Sequence, residues 1–101
     1  MKYAERFYLR DISFRDEYIR RHHEIWPQMR DLILEAGIHD YSIWLSGTDI
    51  FACYEVDDMD RCAAVLKASS IKAEWDKYMS DIICFADGVA PESLRLAFLL
   101  L

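Results

Sequence analysis

The sequence predicts a single α+β domain of the ferredoxin-like kind, an antiparallel sheet with helices on one face and its other face free. Three observations predict it. Strand-length apolar runs and stripes of helical period follow one another as strand, helix, two strands, helices, strand. The 101 residues suffice for one domain, spanning residues 1–101, that buries roughly 60–70% of its unfolded surface. A hydrophobic fraction of 53% and an aromatic fraction of 14% exceed what so short a chain can cover by itself. Two such sheets packed face to face would absorb the surplus in a barrel-like homodimer, a dimeric α/β barrel.

The elements follow in order. Tyr3 to Leu9 is rich in aromatic and apolar residues over the length of a strand. Ser13, followed by Asp16, has the chemistry of a helix N-cap with an acidic first turn. Phe14, Tyr18, Ile25, Met29, Leu32, Ile33 and Ala36 then form a helical stripe that buries one face. Pro27 interrupts it, since proline lacks an amide hydrogen and disfavours helical geometry at Trp26. The helix therefore kinks, or ends and restarts with Pro27 in its first turn. Gly37 is placed to cap the second half.

Ile38 to Leu45 reads as a strand with Ile38, Asp40 and Ser42 on one side and His39, Tyr41, Ile43 and Leu45 on the other. Trp44 breaks the polar side, so both faces are expected to be partly covered. Ser46-Gly47-Thr48-Asp49 makes a hairpin to a strand from Ile50 to Val56. Asp57 and Asp58 can cap a short helix through Met59, Cys62, Val65 and Leu66, which Ser69-Ser70 ends. A helix from Lys72 to Ile83 puts Trp75, Tyr78, Met79 and Ile82 on one face, with Lys72, Asp76 and Lys77 nearer the other. Asp87-Gly88 and Pro91 turn the chain, and Leu94 to Leu101 is a final strand or a tail packed on a partner.

Composition excludes several classes of function. Lys plus Arg number 12 against 18 Asp plus Glu, a net charge of −6 that disfavours a nucleic-acid backbone or an anionic membrane as partner. Neither a leader peptide nor a transmembrane run is signalled. Cys53, Cys62 and Cys84 lack the spacing of metal or redox motifs and read as reduced, mostly buried thiols, as suits a cytoplasmic protein. Their apolar neighbours also speak against a thiolate nucleophile. Three glycines and no Gly-rich loop give no phosphate cradle. The only histidines are His22, His23 and His39, and neighbouring residues on a helix point about 100° apart. A shared metal ion is therefore not expected, and no cofactor is implied.

The titratable and aromatic side chains gather in Tyr18-Ile19-Arg20-Arg21-His22-His23-Glu24-Ile25-Trp26-Pro27. Tyr18 and His22 are four apart and share a helix face. A phenol beside an imidazole can transfer protons near neutral pH, or can simply pack with a satisfied hydrogen bond. His23, on a more polar arc, reads as a solvated surface residue. Tryptophan and tyrosine beside polar groups offer flat apolar faces on which a small polar ligand can stack. Tyr18, Trp26, Tyr41, Trp44 and Trp75 are the candidates, of which Trp26 and Trp44 are assigned to the core.

The run Tyr18-x-x-x-His22-x-x-Ile25-Trp26-Pro27 resembles the L-rhamnose mutarotase family. So do Gly37-x-His39-x-Tyr41-x-Ile43-x-Leu45, Trp75-x-Lys77-Tyr78-Met79-x-Asp81 and a tail with Leu94 and Phe98. The resemblance covers nearly the whole chain; the Trp-Pro motif is also shared by related mutarotases acting on L-fucose. It implies a dimeric ferredoxin-like fold without metal and a monosaccharide substrate, L-rhamnose. It also implies His22 as catalytic proton donor and Tyr18, Tyr41 and Trp75 as substrate-binding residues. One departure from the family pattern matters: the chain reads Trp75-Asp76 where two successive tryptophans stand, which either exchanges stacking area for a hydroxyl acceptor or turns Asp76 into solvent. The implied chemistry is acid–base opening of the C1–O5 bond, rotation about C1–C2 and reclosure. A mutarotase of L-fucose or another L-sugar, a cofactor-free monooxygenase of similar build and a sugar-sensing module without catalysis are the other readings compatible with these residues.

Overall fold

The structure, a computed structural model, describes residues 1–101. Strand β1 (Lys2–Leu9) is the hub of a wholly antiparallel sheet. It pairs along one edge with β3 (Asp49–Val56), which in turn pairs with β2 (Ile38–Ser46). Its other edge is shared by two short pieces, β4 (Ile83–Cys84) against Tyr8 and Leu9, and β5 (Glu92–Leu94) against Ala4 to Arg6. Helices α1 (Arg15–His23), α2 (Pro27–Glu35), α3 (Met59–Ala68) and α4 (Ser70–Met79) supply the second layer. The α+β class expected from the order of patterns is the one observed.

Alternation fixes which side of the sheet meets the helices. Phe7 and Leu9 of β1 and Ile50, Ala52 and Val56 of β3 are all buried, and the register pairs Phe7 with Ile50 and Glu5 with Ala52. That face packs against Tyr18, Met29, Leu32, Trp75, Met79 and Ile82 in the main core, and a smaller cluster joins Ala36, Ile38, Val56 and Cys62. Fully burying each large apolar side chain of this kind contributes about 1.5–3 kcal/mol. Arg6, Tyr8, Phe51 and Trp44 occupy the opposite, open face.

The break at Pro27 takes the second of its two expected forms. Helix α1 stops at His23, Trp26 is extended (φ −60°, ψ 135°), and Pro27 opens α2 at its first position, where a missing amide hydrogen costs nothing. Gly37 lies in the left-handed region (φ 77°), and an added Cβ would come within 3.3 Å of the Asp57 carboxylate. Glycine therefore ends α2 at a position that side chains disfavour. Asp58 and Ser69 cap α3 and α4 by accepting from the amides of Arg61 and Lys72.

Several expectations are corrected. The cap before α1 is Asp11, which accepts from the Ser13 amide and opens a short 3-10 turn over Ile12–Phe14. The last helix ends at Met79, where Ser80 bonds back to the Lys77 carbonyl through both its amide and its hydroxyl. Ile83 is thereby released into the sheet as β4, a strand whose apolar residues had extended the helical stripe. The final strand is confined to Glu92–Leu94, and the residues after it carry no regular structure, with Phe98 78% exposed.

Trp44 is the largest correction. It is 65% exposed, with its indole N–H donating to Ser42 Oγ at 3.0 Å. The cause is a β-bulge: His39 pairs with Glu55 and Ser42 with Cys53, so Asp40 and Tyr41 together oppose Tyr54 alone. The extra residue reverses the alternation downstream. Ile43 and Leu45 now share the helix side with Ile38, while Ser42 and Trp44 turn to the open face. Trp26 packs at the margin of the core as expected. No helix is long and apolar enough to cross a membrane.

Candidate active site

The bulge places Tyr41. Asp40 takes up the local turn with φ 50°, a conformation aspartate tolerates better than most side chains. Tyr41 is thereby aimed to the helix side, where its ring stacks on Tyr54 at 5.5 Å and 15° from parallel. Tyr54 stacks in turn on Tyr3, with 6.0 Å between centroids.

Helix α1 supplies the opposite wall. Tyr18 is buried, and its ring centroid lies 4.4 Å from that of His22 one turn later. His22 meets the edge of Trp75 at 5.6 Å, and Trp75 meets Trp26 at 5.1 Å. Arg21 anchors this wall: its buried guanidinium donates to Glu17, to both carboxylate oxygens of Asp81 and to the Tyr78 carbonyl, and stands 4.5 Å above the Tyr78 ring. Helix α1 is thus pinned to the end of α4, which fixes the height of His22 against Trp75. His23 is exposed.

Tyr18, His22, Tyr41 and Trp75, the four site residues expected from the sequence, surround one space. They stand with Met29 at the junction of two adjoining cavities of about 690 and 710 Å³, a size suited to small ligands. One cavity runs toward Lys72, Asp76 and the 88–91 turn before β5, and the other toward Ile43, Trp44 and α2. Lys72, expected on the far side of α4, lines the first. Its ammonium binds both oxygens of Asp76 at 2.6 Å. Asp76, where the family pattern has a second tryptophan, is therefore held at the cavity rim by an ion pair.

Hydrogen bonding defines the tautomer of His22. Its Nδ1 lies 3.0 Å from the Tyr18 backbone carbonyl, which can only accept, so Nδ1 carries a hydrogen and Nε2 is left for a ligand. Burial lowers the pKa of His22 below the ordinary 6.5, against the opposing effect of the Tyr18 carbonyl. The phenols of Tyr18 and Tyr41 are raised, first by loss of water. They remain neutral hydroxyl donors throughout the physiological range. Although 43% of Tyr41 is exposed, its hydroxyl end lies deep enough to feel that desolvation.

One inward-facing charge escaped the sequence reading. Glu5 sits on the helix side of β1 between Tyr3 and Phe7, opposite Ala52, where apolar residues are the rule. Burial first, with a smaller contribution from the Glu5 charge, pushes Tyr54 up to about 12, and burial raises the Glu5 carboxyl pKa above 4.5 against the pull of Lys72. A carboxylate at an inward-facing strand position was the available signal. Away from the cavity, His39, Asp40 and Glu55 bring ligand atoms within 4.8 Å of one another at the exposed end of β2 and β3, where Lys2 pairs with Glu55.

Residues 2–97 match the family model described as L-rhamnose mutarotase. An L-rhamnose mutarotase of Tolumonas auensis is 39% identical over 82 residues, 79% of this chain and 78% of its own. One of Ligilactobacillus salivarius is 40% identical over 77 residues, 70% and 69% of the two chains. The crystal structure of an L-rhamnose mutarotase from Formosa agariphila superposes with a TM-score of 0.81 at 25% identity, covering 99% of this chain and 98% of that one.

Proposed function

Because this chain belongs to the L-rhamnose mutarotase family, we propose that it is an isomerase interconverting the α and β anomers of free L-rhamnose in the cavity between α1, α4 and the sheet. The observation that carries this reading is the placement of His22. Its Nδ1 is committed to the Tyr18 carbonyl while its other nitrogen is free, beside two phenols and an indole that line the same space.

Anomer exchange moves protons and no electrons, so side chains suffice for it. In the α-to-β direction the imidazolium form of His22, protonated at Nε2 as well as Nδ1, donates to the ring oxygen O5 as the C1–O5 bond breaks. The anomeric hydroxyl gives its proton to solvent water, and the electron pair left on O1 forms the aldehyde carbonyl. Rotation about C1–C2 presents the other face, and the same groups act in reverse. Tyr18 and Tyr41 hold sugar hydroxyls, and the Trp75 indole packs on the C–H face of the ring. Each positioned proton transfer is worth on the order of 10²–10⁴ in rate.

Saturation transfer between the anomeric protons of L-rhamnose tests the assignment. Irradiating the α signal should deplete the β signal faster with the wild-type protein than without it, and His22→Ala should remove that acceleration while leaving the circular dichroism spectrum unchanged. Acceleration by His22→Ala equal to wild type would exclude the role given to His22.

The same reading makes the protein a cytoplasmic homodimer. Supporting it are the exposed Trp44 and the largely exposed apolar chain after Leu94, both of which a second copy would cover. Trp44→Glu should convert a dimer into a monomer in light scattering, and a monomeric wild type would refute this part.

A further inference from the structure

Resting on the mutarotase reading for the orientation of the sugar, we propose that Lys72 and Asp76 form a hydroxyl-reading subsite. It binds the O3–O4 edge of the pyranose and selects sugars that carry a hydroxyl there. Placement is the first argument. Both side chains line the cavity that Tyr18, His22, Tyr41 and Trp75 also line. Lys72 stands one helical turn before Trp75 on α4, with roughly 5–6 Å between Cβ atoms at that spacing, and Asp76 follows Trp75 directly. The pair therefore occupies the arm of the cavity that leads away from His22. A ring packed on the Trp75 indole with its C1–O5 bond at His22 turns the opposite bond, C3–C4, toward that arm.

The chemistry of the pair is the second argument. Lys72 Nζ lies 2.6 Å from both oxygens of Asp76. With 33% and 57% of the two side chains exposed, the contact leaves both charges accessible to a ligand. An ammonium has more hydrogens, and a carboxylate more lone pairs, than two contacts consume. The pair thus has a hydrogen to give and an oxygen to accept with, side by side. A hydroxyl answers both at once, accepting from Lys72 and donating to Asp76, whereas a C–H group in its place strips water from two charges and returns nothing. The ion pair also holds the carboxylate at the rim, where alone it would be free to turn into solvent.

The contrast between the two cavities is the third argument. Arg10 and Ser80, polar neighbours of the pair on the same wall, bond to the backbone at the end of α4: Arg10 Nε donates to the Ser80 carbonyl and the Ser80 hydroxyl to the Lys77 carbonyl. The second cavity has Ile33, Ile43 and Leu45 in its wall. It suits the C6 methyl of a deoxy sugar, while the arm at Lys72 and Asp76 suits the hydroxylated edge.

The experiment compares L-rhamnose with its 2-deoxy, 3-deoxy and 4-deoxy analogues in wild type, Asp76→Ala and Lys72→Met. Exchange is followed by saturation transfer, and binding by titration of the Trp75 indole ¹H–¹⁵N signal. Removing O3 or O4 is expected to weaken binding to the wild type on the order of 10–100-fold. Either substitution should raise KM for L-rhamnose about 10-fold, acting on KM and not on kcat. Binding of the discriminated deoxy sugar should then stay within about twofold of its wild-type value, because hydroxyl and side chain are lost as one interaction. The 2-deoxy sugar, altered beside C1, should weaken equally in every protein. Additive losses with both the 3-deoxy and 4-deoxy sugars, a wild-type KM in Asp76→Ala, or coupling confined to the 2-deoxy sugar would each overturn the inference, while exchange lost in His22→Ala keeps the mutarotase reading. A wild type that shows the expected coupling in binding but accelerates no exchange overturns the mutarotase reading and leaves the subsite standing. One that neither binds nor exchanges L-rhamnose overturns both.

Discussion

Tyr41 lies flat against Tyr54, with ring centroids 5.5 Å apart and planes 15° from parallel, because two residues of β2 oppose one of β3. The left-handed Asp40 (φ 50°) makes that geometry. Glycine can adopt this backbone and a β-branched residue resists it. Asp40→Gly should keep the KM for L-rhamnose near the wild-type value. Asp40→Val should raise it several-fold by withdrawing Tyr41 from the cavity, as steady-state anomer exchange would reveal.

His22 must carry a proton to donate, and its pKa lies below 6.5. The protonated fraction therefore declines as pH rises through that region. The kcat/KM for anomer exchange is expected to decrease above pH 6.5. A profile still rising from pH 6.5 to 8 would contradict the donor role.

Glu5 costs stability at neutral pH. Its folded pKa is raised above 4.5, so the native state binds the proton more tightly than the unfolded chain does. That contribution is fully present below pH 4.5 and is lost as pH rises through the folded value. Glu5→Gln, isosteric and uncharged, should melt above wild type at pH 7, with the gap closing toward pH 4.

Arg21 holds α1 against α4 through Asp81, Glu17 and the Tyr78 carbonyl. Arg21→Met keeps the aliphatic stem but frees these acceptors, and should lower the unfolding free energy by about 2 kcal/mol. Urea denaturation measures it. Because His22 is the next residue, the surviving native fraction should also bind L-rhamnose more weakly.

The local signals in the chain determined most of the elements. Apolar periodicity located both long helical stripes, Pro27 and Gly37 marked where α2 begins and ends, and Asp58 announced α3 because a cap is written in neighbouring residues. The spacing of Tyr18 and His22 placed them on one face, since one helical turn brings side chains four apart together whatever lies around them. Tertiary pairing decided what spacing could not. Whether Trp44 faced the core depended on a bulge that only the partner strand reveals, because a one-residue slip exchanges the faces of everything beyond it. The apolar Ile82 and Ile83 suited a helix and a strand equally, and the free edge of β1 claimed Ile83. The convergence of Tyr18, His22, Tyr41 and Trp75 joins three separate elements. It exists only once the sheet and helices are packed, when burial alters the proton affinities that give the cavity its chemistry.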